Sequence, residues 1–364
     1  MKTKLTISPW QLFALIVLFE LGSAIVMNVG HSAKQDAWIS IAAATIFGMG
    51  IFAIYRLLQA RRPESDLFEL VQLSFGRWLG SVVILLYVIY FLYVAARVLR
   101  DFLELLASAV LDHTPIEVLA FSFMLVSAYM IGLGLSTIVR TAELLFPIIM
   151  GILFVLCVLL LIDRDYEFNN LKPILGDGIE PVVTSIFPTL LTFPFGELIV
   201  ILVFIRYAAP AKRVGFMSMG AIGLSGMILV GTAVLETITL GEKMKERTNF
   251  PYLLTIRDIA FGYFFERMEM MVVFVMFITI LVKASLFLFG ALKGVEHLVR
   301  IPYRESVFPV ACLVAILSIR IATSFAEHSI EGLELSPYVV HLPMQLGIPL
   351  VMLVILGVKS ARQR

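Results

Sequence analysis

Charge is scarce in this chain. Asp, Glu, Lys and Arg make up 15% of its 364 residues against 60% hydrophobic residues, and the mean hydropathy is +0.97. A water-soluble domain carries about a quarter charged residues, so the composition excludes that class and points to a polytopic protein of the lipid bilayer. The remaining charge is balanced at +1, and no basic cluster is large enough for a nucleic-acid partner. Cysteine is nearly absent. Cys157 and Cys312 both lie in apolar runs and read as buried small side chains with no disulfide or metal role. The histidines, His31, His113, His297, His328 and His341, are dispersed near expected span ends without metal-ligand spacing and read as interfacial residues. The glycine-rich stretch at 132–137 lacks the Gly-Lys-Ser/Thr ending of a phosphate loop. No nucleophile–base constellation is present, so neither an enzyme nor a cofactor nor a metal is expected.

What is present is apolar length. A window near 20 residues fits about ten helices, at 8–30, 37–59, 79–106, 116–138, 143–162, 183–207, 214–237, 268–292, 307–325 and 338–358. The first follows Met-Lys-Thr-Lys and lacks a convincing cleavage site, so it reads as an uncleaved span. Basic residues such as Arg56, Arg61, Arg62, Arg206, Arg304 and Lys359 gather at one set of span ends, which gives an N-in, C-in topology. The third segment is apolar to about residue 111, too long for an upright span. It is expected to tilt and project outward, with Arg97/Asp101 and Arg100/Glu104 at the i,i+4 spacing of interfacial ion pairs or of a gate. Tyr87, Tyr90 and Tyr93 on the same segment read mainly as packing. Residues 163–182 suit an ordered external cap, and 250–267 a short amphipathic helix lying over the same face.

Within span six, 188–197 reads Pro-Thr-Leu-Leu-Thr-Phe-Pro-Phe-Gly-Glu. Two prolines, a glycine and a carboxylate near mid-bilayer break a helix, and such a break survives only where it lines a protein-enclosed cavity. Ten spans divide into two halves of five, 1–163 and 182–358, within a single transmembrane domain over 1–364. An odd number of spans per half forces the halves into opposite orientations, so span one corresponds to span six. Span one carries its own interruption around Gly22, Ser23 and Ala24. Paired breaks in inverted halves are the best pointer in a sequence to a transporter-type binding site, and half-helix ends suit the carboxylate and ammonium of an amino acid. Three ionisable residues fall near mid-membrane: Glu20, Glu197 and Lys283. Unpaired burial of any of them costs several kcal/mol, so they should face inward and find partners. Lys283 can pair with either glutamate. The readings left open are a locking ion pair, an ammonium standing in for a coupling cation, and a proton-carrying carboxylate.

Several stretches resemble one family. They are Gly22-Ser-Ala-Ile, then Ala33 to Ser40 with Gln35-Asp-Ala-Trp38 at its centre, Phe195-Gly-Glu197, Asn249-Phe-Pro-Tyr-Leu253 and Phe265-Glu-Arg-Met268. Together they resemble the B subunits of spore germinant receptors, the GerAB-type endospore permeases of the amino acid–polyamine–organocation superfamily. Lys34 departs from the pattern, which favours a smaller residue there, often glycine. The resemblance implies an all-α integral membrane protein of ten transmembrane helices in a LeuT-like 5+5 inverted repeat, with helices 1 and 6 broken. It also implies a small nutrient ligand, commonly an amino acid, and A and C partner subunits in the spore inner membrane. Carried onto the two breaks, it places the ligand around Gly22, Ser23, Ala24, Phe193, Phe195, Gly196 and Glu197, with Glu20 and Lys283 as the buried coupling charges. The short termini suggest signalling through membrane partners. An active amino-acid transporter, proton-coupled or uncoupled, and an ion channel stand as alternatives, in the same membrane or the cell membrane.

Overall fold

The first span starts on a capping box. Ser8 Oγ accepts from the Gln11 N–H, the Gln11 side chain accepts from the Ser8 N–H, and Pro9 fills the first helical position. Helix α1 (Pro9–Leu21) runs 13 residues before Gly22 turns the chain at φ +33°. The computed structural model describes residues 6–163, 166–257 and 267–362. Among these there is no strand, only a bridge between Ile7 and Ala208.

From the break the chain passes through one tight turn, His31–Asp36, into α2 (Ala37–Arg61) and the short α3 (Leu67–Phe75). Asp66 caps α3, accepting from the Glu69 N–H. Helix α4 (Arg77–Ala109) is 33 residues long, the long third span expected from the sequence. Next come α5 (Ile116–Leu133) and α6 (Leu135–Asp163). Span six opens as α7 (Glu180–Thr184), continues through wide π-type turns at Ser185–Leu190 and ends in tight 3-10 turns at Phe195–Val203 and Ile205–Tyr207. The second half continues with α8 (Ala211–Arg247), α9 (Pro251–Arg257), α10 (Glu269–Val299), α11 (Tyr303–Arg320), α12 (Phe325–Ile330) and, after further wide turns, α13 (Ile348–Arg362).

Eight of these helical stretches are long and apolar enough to cross a membrane, and the bent pair Tyr303–Arg320 and Phe325–Leu335 makes nine. The short apolar α1, at 13 residues, falls below that length and opens the first, broken span. Helix α10 is the central post: 89% of its apolar window is buried, against 28% for α6. It packs along α4, and α1 lies between α6, α8 and α10. The start of span one is strapped to the end of span six by Ile7 N–H to Tyr207 O at 2.8 Å and Ala209 N–H to Ile7 O at 3.2 Å.

Several sequence expectations are corrected here. The fourth span stops at Leu133 and the fifth starts at Leu135, because Gly134 takes φ +115°, a conformation that hydropathy does not register. The ninth span, expected at 307–325, leaves its axis at Arg320 and turns by 107° into Phe325–Leu335, while the last span, expected at 338–358, lies at Pro337–Lys359. Its Pro337 and Pro343 donate no N–H, and the helix answers with π-type turns at Pro337–His341 and Pro343–Gly347. Both cysteines are free, yet neither is buried: Cys157 is half-buried and Cys312 exposed. They sit on helices that also expose Phe154, Leu161, Phe308 and Ile316, since an apolar residue in a membrane protein can face lipid as readily as the core. His328 and His341 are buried rather than interfacial.

Residues 166–182, expected to form a cap, are tied to the turn at His31–Asp36. Gln35 donates to Pro173 O, and the Leu175 N–H donates to the Asp36 carboxylate. Lys34 has φ +51°, the region that favours glycine. Its ammonium meets Asp177 at 2.9 Å and Glu242 at 3.5 Å. Of the amphipathic segment expected at 250–267, α9 forms its first part, and 258–266 lie outside the described residues.

Candidate functional site

The two breaks meet on α10. Thr279 Oγ1 donates to Gly22 O at 3.2 Å, which satisfies a carbonyl released by the first break. One turn further along, Lys283 is fully buried and ion-paired to Glu197 from the second break. Its ammonium also lies over two rings, 4.8 Å from the Phe193 centroid and 5.1 Å from that of Phe19. Of the two pairings open to Lys283, the structure takes Glu197. Glu20 is fully buried too, and neither of its carboxylate oxygens has a hydrogen-bond partner among the described residues. The buried hydroxyls of Ser23 and Ser285 are likewise without partners.

Above this ion pair lies a chamber of about 40 Å³, room for little more than a water. Phe193 and Glu197 line it with Met27, Asp101, Arg97 and His341. A second cavity of about 300 Å³ shares Met27, Ser329 and Leu333 with the chamber, so those three side chains form the partition between them. The other sequence-predicted residues surround the chamber without lining it. Gly22 carries the turn of the first break and Ala24 is buried behind it. Phe195 sits against Gly48, where a Cβ would fall 2.6 Å from the phenylalanine side chain. The Gly196 carbonyl lies 2.9 Å from the Tyr55 hydroxyl, which also reaches Gln345 O at 2.7 Å.

The far wall is built by residues whose roles the sequence did not disclose. The stripe on α4 is a polar ladder to the last span rather than plain packing. Tyr87 donates to Met344 O, Tyr90 bonds His341 Nδ1 at 3.0 Å, and Tyr93 bonds Ser336 Oγ at 2.6 Å. Gln345 Nε2 donates to the Tyr90 oxygen at 2.7 Å. Of the two expected ion pairs one turn apart, Arg100–Glu104 forms at 2.5 Å. Arg97 and Asp101 do not pair with each other. Arg97 donates to His328 O and approaches Glu331 at 3.7 Å, while His328 Nε2 donates to Asp101 at 2.7 Å. Both charges are spent on the segment after the 107° bend, latching it over the chamber. Gly332 makes that possible, because a Cβ there would lie 1.9 Å from Arg97 Nη2. The signals were in the sequence, as i,i+3 tyrosines and an i,i+4 charge couple, but their partners lie more than 200 residues away.

The sequence pattern described as spore germination protein matches residues 6–327. The chain belongs to the spore germination protein family. It is 34% identical over 361 residues to spore germination protein KB of Bacillus subtilis (strain 168), covering 99% of this chain and 97% of that protein. The family places it among the nutrient-binding membrane subunits of germination receptors, of the GerAB type. Among solved structures it resembles MhsT in complex with L-phenylalanine, with a TM-score of 0.65 and 11% identity over 95% of this chain and 97% of that one. It also resembles the nucleobase-cation-symport transporter Mhp1 in a closed conformation, with a TM-score of 0.69 and 13% identity over 88% of this chain and 73% of that one. The fold is therefore the all-helical LeuT type that the family resemblance implied.

Proposed function

We propose that this chain binds an amino-acid nutrient in the chamber between its two broken spans, and that occupancy shifts a conformational equilibrium read by A- and C-type partner subunits in the spore inner membrane. The observation that carries this reading is the Lys283–Glu197 ion pair at the junction of both breaks, facing a chamber that also holds Arg97 and Asp101. An α-amino acid brings one ammonium and one carboxylate, and groups of both opposite signs are already there. The closed chamber is too small for such a ligand, so entry requires the latch over α4 to part. The ligand can move that equilibrium only by its difference in affinity between the closed and open states. MhsT, with L-phenylalanine bound, supports an amino-acid type of ligand.

Both termini lie inside the cell in this reading, on the face bearing Arg56, Arg206, Arg304 and Lys359, in keeping with the positive-inside rule. The chain performs no covalent chemistry. The Lys283 ammonium, beside Gly22 and the Thr279 hydroxyl, stands where a coupling cation would otherwise neutralise the site, so the response needs no sodium.

The test is thermal unfolding of the purified chain, screened over amino acids and sugars. At a hundredfold excess over Kd a ligand stabilises by about 2.7 kcal/mol. One amino acid is expected to raise the unfolding temperature in the wild type and not in Glu197→Gln. Stabilisation by no amino acid would overturn the ligand assignment. Robust saturable accumulation of the labelled amino acid in proteoliposomes holding this chain alone would replace the sensor by a transporter.

A further inference from the structure

Where α10 ends and α11 begins, those helices and the α5–α6 connection line an open cavity of about 560 Å³, with Arg140 and Arg304 exposed. Three cations line it, Arg140, Lys293 and Arg304, and no carboxylate does. They converge from three helices: the second turn of α6, the last two turns of α10 and the first turn of α11. One neighbouring carboxylate balances Lys293, and another is engaged away from the cavity. Glu296 pairs with Lys293 and accepts from the Tyr303 N–H, while Glu143 accepts from Gln11. Among the described residues, Arg140 and Arg304 have no ion-pair or hydrogen-bond partner; Arg304 only lies over the Tyr303 ring, 6.0 Å from its centroid.

The positive charge is reinforced by the backbone. Arg304 lies against Gly134, with Nη2 3.6 Å from where a Cβ would stand, and Gly134 immediately precedes the 29-residue α6. The guanidinium thus faces the partly positive start of a helix. Like charges converging in a concave site repel one another unless an anion sits among them. Two guanidinium forks with Ser136 and tyrosine hydroxyls around them suit the several oxygens of a tetrahedral oxyanion.

We propose that this cavity binds a phosphate-class oxyanion, presented as the headgroup of an anionic phospholipid or as free phosphate. The site is separate from the nutrient chamber and does not rest on that reading. Tyr207 lines the cavity, and its carbonyl accepts the Ile7 N–H that straps span one to span six. An anion bound there braces the inner closure of the two broken spans.

The experiment uses the purified full chain in nanodiscs of zwitterionic lipid, read by thermal unfolding with two probes. One is phosphatidylglycerol introduced into the disc. The other is inorganic phosphate titrated against chloride at matched ionic strength. At least one probe is expected to raise the unfolding temperature of the wild type by about 2–4 °C. Arg140→Gln with Arg304→Gln should abolish that shift and weaken binding about tenfold or more. Arg320→Gln, at the opposite end of α11, should retain it. If the double variant fails to fold, Arg140→Lys keeps the charge, removes the fork and should shift the titration midpoint to higher concentration. A shift with phosphatidylglycerol alone assigns the lipid headgroup; a shift with inorganic phosphate assigns the free anion. No shift with either probe, or equal shifts in the wild type and the double variant, overturns the proposal.

Discussion

Each of the two breaks brings a buried glutamate to the middle of the bundle, and the structure treats them differently. Glu197, after Pro194 and Gly196, is held against the Lys283 ammonium. Glu20, in the last turn before Gly22, is as deeply buried and has no hydrogen-bond partner on either oxygen among the described residues. One break is thus locked by an ion pair with α10. The other is attached to α10 through a backbone carbonyl, Gly22 O, which accepts from Thr279. The difference teaches how one ammonium serves both breaks: the second holds Lys283 in a direct ion pair, and the first feels its charge without a contact and also yields it space. A Cβ at Gly22 would fall 2.7 Å from Lys283 Cδ.

The comparison breaks most severely at Lys283. Lys283→Met leaves Glu197 buried without a counter-ion, which costs about 3–5 kcal/mol. Adding Glu197→Gln should recover most of that loss, because a buried pair replaced as a unit is close to neutral. Lys293→Met, at the half-exposed end of the same helix, should cost no more than about 1 kcal/mol. Equal unfolding temperatures for Lys283→Met and the wild type would show that the pair carries no stability.

The glycines come next. At Gly196 a Cβ would lie 2.0 Å from Gln345 Oε1 and 3.1 Å from Leu191 O, and Gly22 combines its close approach to Lys283 with φ +33°. Leucine at either position overpacks the junction by about 1–3 kcal/mol and should abolish the nutrient response while membrane insertion persists. A wild-type response from both variants would remove the ligand from this cavity. Glu20→Gln sharpens the contrast from the other side. It removes no ion pair, so it should change stability by less than about 1 kcal/mol, and a loss as large as that of Lys283→Met would mean that both glutamates share the ammonium. The smallest effect belongs to Lys34. Lys34→Gly relieves a positive φ and gives up two exposed ion pairs, so its unfolding temperature should stay near that of the wild type.

Much of this was legible from residue order, and the boundary of what was legible is physical. Hydropathy and length located the crossing segments because lipid imposes one requirement on every residue of a span. The failures at Gly134 and at the 107° bend came from backbone conformation, to which a hydropathy window is blind. Arg97 and Asp101 show a second limit. Their spacing correctly marked a charged pair on one face of α4, and the wrong partners followed, because local spacing cannot weigh a neighbour on the chain against His328 and Glu331 arriving from the far end of the protein. His341 was read as interfacial and Gln345 went unnoticed for the same reason: their hydrogen bonds run to tyrosines about 250 residues earlier.

By itself the sequence determined that the protein lives in a bilayer, that spans one and six are interrupted, and that three charges must be buried near the interruptions. Each of these follows from the cost of leaving a polar group unsatisfied in hydrocarbon, a cost set residue by residue. Only the tertiary structure decided that Lys283 takes Glu197 and not Glu20, that α4 fastens the last span over the chamber, and that Arg140, Lys293 and Arg304 share one cavity. Those outcomes depend on distances of a few ångströms between residues far apart in the chain, and only the packing of α4 and α10 against the two broken spans sets such distances.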